Sequence, residues 1–129
     1  MPKAEELKYT KTHEWLFIEG NTAVAGLSEH AQKEIGDVVF VELPKKGRKV
    51  EKEKPCAVVE SVKSAFDIYA PVSGEITELN ESLNSEPALI NQSPLENGWL
   101  FKLKISNPDE TDSLMDYSSY QEFIKQNVH

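Results

Sequence analysis

The segment Val59-Glu-Ser-Val-Lys-Ser-Ala-Phe-Asp-Ile-Tyr-Ala-Pro-Val-Ser-Gly74 contains the most informative residue of the chain, Lys63. Apolar and β-branched residues on both sides predict two strands, residues 55–61 and 65–69, joined by a tight turn. Lys63 then stands at the tip of a hairpin, where another enzyme's active site can reach its amine. A covalently attached cofactor that swings between sites requires a lysine in such a position.

Strand patterns recur along most of the remaining chain, separated by Gly, Pro and Asn residues that suit turns. The Gly20-Asn21 pair supplies the positive-φ positions of a two-residue hairpin turn. The other predicted strands are residues 14–19, 22–25, 37–43, 75–79 and 99–105. The sequence therefore predicts a mostly β protein.

Short helices are predicted around these strands. Residues 28–35 form one, with Ser28 as its N-cap and Gly36 as its end. Residues 80–97 are a long polar loop with one helical turn near residues 87–90. Because proline suits a first helical position, residues 108–115 are also predicted to be helical.

A C-terminal helix is predicted from Ser118 and Gln121, which resemble a capping box. Its apolar residues recur at helical spacing, which favours a helix docked on the β core and leaves a partner-binding helix as the alternative. The residues of this stripe are Tyr117, Tyr120, Phe123 and Ile124.

Composition narrows the class of protein. A chain of 129 residues is most simply one domain, here with a β core at about residues 7–105 and a helical segment at about 108–127. The net charge of −8 argues against a nucleic-acid partner, and no apolar run is long enough for a membrane span. The N-terminus has no signal or transit pattern, so we expect a cytoplasmic protein or a mature form without its targeting segment.

Residues that carry chemistry are sparse. Cys56 is the single cysteine, which excludes an intrachain disulfide and suggests a buried small apolar residue. His13, His30 and His129 have no metal-ligand spacing. His13 and Glu14 could form an acid/base pair, but neighbours on a strand point to opposite faces. Without a phosphate loop or a nucleophile elbow, a carrier or binding module fits better than an enzyme.

Lys63 has to be weighed against the other lysines. The chain has 14 basic residues, of which only Arg48 is an arginine, leaving 13 lysines. Most lysines are solvated surface groups. From spacing alone, both a modification site and an ordinary turn residue remain open.

Residues 59–63 and 70–74 resemble the lipoyl-attachment motif of the glycine cleavage system H-protein family, and the likeness extends along nearly the whole chain. The target lysine of a biotin carrier lies between two methionines, whereas Lys63 lies between Val62 and Ser64. Lipoyl domains of 2-oxoacid dehydrogenases are smaller and lack the His-Glu-Trp opening. The other matching segments are His13-Glu-Trp15, Ala31-Gln32, Gly36-Asp-Val-Val-Phe-Val-Glu-Leu-Pro44, Asn80-Glu81, Leu89-Ile-Asn91, Ser93-Pro94 and Gly98-Trp-Leu100.

The resemblance implies a barrel-sandwich hybrid of the lipoyl/biotinyl-carrier type, with lipoate attached to Lys63. It implies a carrier that takes the aminomethyl group of glycine from a pyridoxal-phosphate-dependent decarboxylase (P-protein) to a tetrahydrofolate-dependent aminomethyltransferase (T-protein). Dihydrolipoamide dehydrogenase (L-protein) then reoxidises the arm, and a lipoate-attaching enzyme installs it. Such a carrier has no active site of its own and is expected to be a monomer.

The resemblance also implies a cleft in which the loaded arm docks. The matching positions are Glu14, Asp67 and Thr12, and the two carboxylates would hold the cationic end of the arm. The alternative is that these acids are ordinary exposed strand residues. Glu34 departs from the family, because some members have histidine at this cleft-facing helix position.

Two other functions remain open at this stage. One is a relay that passes lipoyl groups to 2-oxoacid dehydrogenase complexes through the same lysine. The other is an unmodified interaction module in which the Lys63 turn is only a turn. The mass of the protein from its own cells separates the second from a lipoylated carrier.

Overall fold

The computed structural model describes residues 3–126, which form two antiparallel sheets with short helices around them. A 3-10 turn, Ala4–Glu6, precedes the first strand, and a longer 3-10 helix, Pro108–Ser113, follows the last. The strands are β1 (Lys8–Tyr9), β2 (Glu14–Glu19), β3 (Thr22–Leu27), β4 (Val38–Glu42), β5 (Lys49–Val50), β6 (Pro55–Ser61), β7 (Ala65–Tyr69), β8 (Gly74–Leu79) and β9 (Phe101–Ile105). The helices are α1 (Glu29–Ile35), α2 (Ser82–Ser85), α3 (Leu89–Gln92) and α4 (Tyr117–Gln126).

The larger sheet has the strand order β1-β2-β3-β9-β8-β5, and the smaller has the order β4-β6-β7. The mostly β prediction is confirmed, but the two sheets do not close into a barrel. Side chains from both sheets meet in one apolar core, which includes Leu16, Val59, Ile76 and Phe101. Alternation along the strands produces this core, because every second side chain points inward.

Helix α1 begins and ends as its sequence predicts. The Ser28 hydroxyl accepts a hydrogen bond of 3.1 Å from the Ala31 amide, which satisfies one of the free donors of the first turn. Gly36 ends the helix with φ = 81°, a conformation that a residue with a Cβ rarely adopts. Ala31 and Ile35 are buried against the β core.

The C-terminal helix packs on the outside of the larger sheet, as the docked-helix interpretation requires. Tyr120 is buried and stacks on Tyr9 with ring centroids 4.3 Å apart. The predicted capping box at Ser118 is wrong, because α4 begins one residue earlier and the Asp116 carboxylate accepts from the Ser119 amide. The helix predicted at residues 108–115 is a 3-10 helix that ends at Ser113.

The sequence analysis does not predict four elements, of which the first is the 3-10 turn Ala4–Glu6. Strands β1 and β5 have two residues each, too few to show an alternating pattern, and α2 occupies one turn of the predicted polar loop. Between residues 3 and 126, no helix has the length and apolarity needed to cross a membrane.

Candidate functional site

Lys63 lies on a hairpin turn that is organised around the hydroxyl of Ser61. The Ser61 amide donates to the Ser64 carbonyl at 2.8 Å, which leaves Val62 and Lys63 as the two turn residues. The amides of Lys63 and Ser64 both donate to Ser61 Oγ, at 3.1 and 3.4 Å. Because the side chain of Ser61 is buried, these hydrogen bonds hold the turn from its core-facing side, and Lys63 stays exposed to solvent.

The side chain of Lys63 lies against the end of α1. Its Nζ donates to the Glu34 carbonyl at 3.2 Å, and a Cβ built on Gly36 would lie 3.5 Å from Lys63 Cε. A cation at a helix C-terminus is favourable, because the last carbonyls of a helix carry partial negative charge. A further bond, from the Val62 amide to the Asp37 carbonyl at 3.0 Å, ties the tip to the start of β4.

A cleft of about 440 Å³ lies between α1 and β7. Its lining combines apolar side chains with two carboxylates, two imidazoles and one hydroxyl, so it can receive an alkyl chain with a polar end. Thr12 and Asp67, both predicted as arm-docking residues, lie on its wall, as does Glu34. The remaining lining residues are His13, Leu27, His30, Ala31, Ile35, Phe66 and Ile68.

Glu14 is buried and lies in a neighbouring cavity of about 530 Å³, to which Thr12 also contributes. The hydroxyls of Thr10 and Thr12 donate to its Oε1, and the Tyr69 amide donates to Oε2 at 3.3 Å. Burial raises the pKa of Glu14, and these hydrogen bonds partly offset that effect. The alternative of an ordinary exposed acid is therefore wrong for Glu14, whereas Asp67 is exposed.

A side-chain network that no sequence pattern predicts lies behind the cleft. His13 precedes β2 with φ = 74°, so the prediction that His13 and Glu14 are neighbours on one strand is wrong. Its Nδ1 lies 2.8 Å from the Tyr120 hydroxyl, which in turn lies 2.7 Å from Ser28 Oγ. The His30 ring lies 4.7 Å from that of His13 and also contacts Glu34 at 3.3 Å.

The electrostatic environment of His13 favours its neutral form. Burial lowers its pKa first, the neighbouring His30 lowers it further, and Glu34 acts in the opposite direction. The wall of the cleft next to Thr12 thus favours a neutral imidazole. An ammonium group that enters the cleft is therefore repelled less than it would be if His13 were protonated.

The other residues singled out from the sequence are structural. Cys56 is buried, and burial raises the pKa of its thiol to about 12, as expected for a small apolar core residue. Within residues 3–126, no cluster of His, Cys, Asp or Glu could hold a metal ion. His129 lies outside the described residues.

Comparisons with known proteins agree with this geometry. The family model described as Glycine cleavage H-protein matches residues 7–127. The glycine cleavage system H protein of Thermotoga maritima is 54% identical over 119 residues, covering 92% of this chain and 96% of that protein. The glycine cleavage system H protein of Thermus thermophilus is 53% identical over 117 residues, covering 91% of each.

A solved structure shares the fold. The crystal structure of a glycine cleavage system H protein from Mycobacterium marinum matches with a TM-score of 0.84 and 33% identity, over 98% of both chains. The likeness includes both sheets and the C-terminal helix, since so little of either chain is left uncovered. The chain therefore belongs to the glycine cleavage H-protein family, the lipoyl-carrier component of the glycine cleavage system, which is not itself an enzyme.

Proposed function

We propose that Lys63 carries lipoate through an amide on Nζ and that the protein shuttles the aminomethyl group of glycine between enzymes. The observation that carries the proposal is the exposed Lys63 on a turn whose backbone is fixed by the buried Ser61 hydroxyl. A rigid base with an exposed lysine allows an arm to enter other active sites. Bound lipoate supplies the disulfide that accepts the aminomethyl group, chemistry that no side chain offers.

The proposed partners follow from the family. The P-protein decarboxylase loads the carrier, the T-protein aminomethyltransferase unloads it, and dihydrolipoamide dehydrogenase restores the disulfide by thiol–disulfide exchange. A lipoate-attaching enzyme modifies Lys63 beforehand. We propose that the protein acts as a single-domain monomer in the cytoplasm, because a carrier has to present one arm to several enzymes.

The cleft between α1 and β7 fits a parked, loaded arm. Its apolar residues can cover an alkyl chain, and its wall carries Thr12 and Asp67. Glu14 lies beyond Thr12, and its partners are neutral donors, two hydroxyls and one amide. Because neutral donors leave its negative charge uncompensated, ionised Glu14 can attract the ammonium of the loaded arm. An arm that lies in the cleft would be shielded from the water that hydrolyses this group.

Intact mass spectrometry tests the attachment site. Protein from cells supplied with lipoate should show one lipoyl increment, and Lys63→Arg should show none while keeping the parent's unfolding midpoint. The matched control is Lys33→Arg, an exposed lysine on α1, which should be modified as in the parent. A lipoyl increment on the Lys63→Arg protein would disprove the assignment.

A second measurement separates the carrier from a lipoyl relay. Lipoylated parent should support the glycine–bicarbonate exchange catalysed by the P-protein decarboxylase, and Lys63→Arg should not. A parent that is lipoylated at Lys63 yet inactive in this exchange would favour the relay. Native protein with no added mass would favour the unmodified interaction module.

A further inference from the structure

Three large apolar side chains are more than half exposed within residues 3–126, and all three lie at the Lys63 end of the smaller sheet. Val39 is 54% exposed, Phe40 52% and Val62 69%. Phe40 lies opposite Glu60 on β6, and Val62 follows at the end of that strand. These three residues are here called the tip patch. Exposed apolar side chains in a group mark interaction surfaces more often than single ones do.

A β-bulge in β4 creates the tip patch. Val38 pairs with Ser61 and Phe40 pairs with Glu60, so Val39 is an extra residue without a partner on β6. In a regular strand, neighbouring side chains alternate between the core and solvent, and one of two successive residues would be buried. The bulge interrupts this alternation, and both Val39 and Phe40 are exposed. Bulges commonly re-aim side chains beside functional sites.

The length of the lysine side chain indicates which enzyme meets the tip patch. Before modification, the amine of Lys63 stands on a stem of four carbons. An enzyme that acylates this amine has to bring its reacting carbonyl within that reach, so its surface touches the residues around the turn. Enzymes that act on the far end of a lipoyl arm work at more than twice this distance from the backbone. Among the proposed partners, the enzyme that attaches lipoate therefore has the greatest need to contact the residues around the Lys63 turn directly.

The charged residues around the tip patch indicate what kind of surface would bind it. Residues 34–43 and 57–69 contain five acids and a single basic residue, Lys63. The acids nearest the patch, Asp37, Glu42 and Glu60, are all exposed. A complementary surface has an apolar centre and basic residues on its rim.

We propose that the tip patch is the docking surface for the enzyme that acylates Lys63, an inference that rests on the proposed function. The neutral amine of Lys63 attacks the carbonyl carbon of an activated lipoyl donor, an acyl adenylate. The new amide bond forms as the bond from the carbonyl carbon to the phosphate oxygen breaks. Adenylate leaves with that electron pair, and the amine loses one proton to solvent.

The test measures this transfer alone. A lipoate–protein ligase with preformed lipoyl-adenylate is mixed with unmodified protein, and the initial rate is followed by intact mass over a range of protein concentrations. The double variant Val39→Ser/Phe40→Ser should lose kcat/KM on the order of tenfold, mostly through a higher KM, as loss of an interface anchor does. The conservative variant Phe40→Leu keeps an apolar patch and should stay close to the parent.

The double variant is then lipoylated to completion by long incubation and tested in glycine–bicarbonate exchange. An exchange rate at the parent level supports a patch that serves attachment. If the double variant shows normal acyl transfer but slow exchange, the patch serves the P-protein decarboxylase and the inference is overturned. An equal loss in both reactions would also overturn it. If the parent itself accepts no lipoyl group at Lys63, the proposed function fails; if parent and double variant accept it equally fast, only the docking inference fails.

Discussion

His13 and Tyr120 are 107 residues apart in the sequence, yet His13 Nδ1 lies 2.8 Å from the Tyr120 hydroxyl. This contact joins the wall of the cleft to α4, and the Ser28 hydroxyl extends it to the N-terminus of α1. Three elements that are distant in sequence thus share one buried hydroxyl. The C-terminal helix therefore contributes to the site through Tyr120, although it lies on the outside of the larger sheet.

Replacing Tyr120 with phenylalanine should destabilise the protein by about 1–3 kcal/mol, because it removes the hydroxyl partner of the buried Ser28 side chain and of the partly buried His13 imidazole. Urea denaturation of the unmodified protein measures this change. Tyr117→Phe is the matched control, since Tyr117 lies on the same helix and its hydroxyl makes no hydrogen bond within residues 3–126. Equal stability losses in the two variants would contradict a special role for the Tyr120 hydroxyl.

The lowered pKa of His13 makes stability depend on pH. The unfolded chain binds the proton near the usual value of 6.5, and the folded protein binds it only at lower pH. Below pH 6.5 the unfolded state holds more protons, so stability should fall as pH decreases and level off below the folded pKa. His13→Asn, which tolerates the positive φ, should flatten this part of the curve. Unfolding free energies between about pH 8 and pH 5 test this, and parallel curves would refute it.

Removing the carboxylate of Glu14 should expose the loaded arm. Lipoylated Glu14→Ala protein loaded with methylamine should release formaldehyde faster than the parent, by about tenfold if one charge-assisted contact is lost. Glu19→Ala is the control, because Glu19 is an exposed acid at the other end of the same strand. Release at the parent rate would rule out a docking role for Glu14.

Gly26 is a position where no side chain fits. A Cβ there would lie 2.6 Å from the ring of Trp15, which is fully buried and donates from Nε1 to the Pro94 carbonyl. Gly26→Ala should therefore destabilise the protein by about 1–3 kcal/mol through overpacking. Trp15→Phe replaces the indole with a smaller ring that lacks Nε1 and Cζ2, two of the three clashing atoms, so the double variant should cost less than the sum of the single ones. Additive costs in urea denaturation would contradict this explanation.

The predicted bounds of β6 and β7 match the structure at every end, because both strands are framed by turn residues and contain β-branched or aromatic side chains. The turn between them was predicted, but the role of Ser61 was not, since a serine hydroxyl's direction depends on the turn it stabilises. The family resemblance, and no local pattern, points to Glu14. Its burial could not be predicted, because a charged residue on a strand ordinarily faces solvent and only Thr10, Thr12 and Tyr69 make burial tolerable.

Long-range contacts account for the structural features that the sequence does not predict. The sequence draws attention to His13 and to Tyr120 separately, but no local pattern places one beside the other, because the two are 107 residues apart. The bulge at Val39 was equally hidden, since residues 37–43 have the composition of an ordinary strand and the extra residue is defined only by pairing with β6. Strand positions follow from local alternation, whereas these features depend on which strands become neighbours.

The contact between Lys63 Nζ and the Glu34 carbonyl gives the unmodified lysine a resting place at the end of α1. Acylation turns the ammonium into a neutral amide with one N–H, which removes the charge that the helix end attracts. Lipoylation therefore also frees the side chain on which the arm is built, because it weakens the contact between Lys63 Nζ and the helix end. The backbone amide resonance of Gly36, which lies beside this contact, should shift on lipoylation. An unchanged resonance would show that lipoylation does not release the lysine side chain from the helix end.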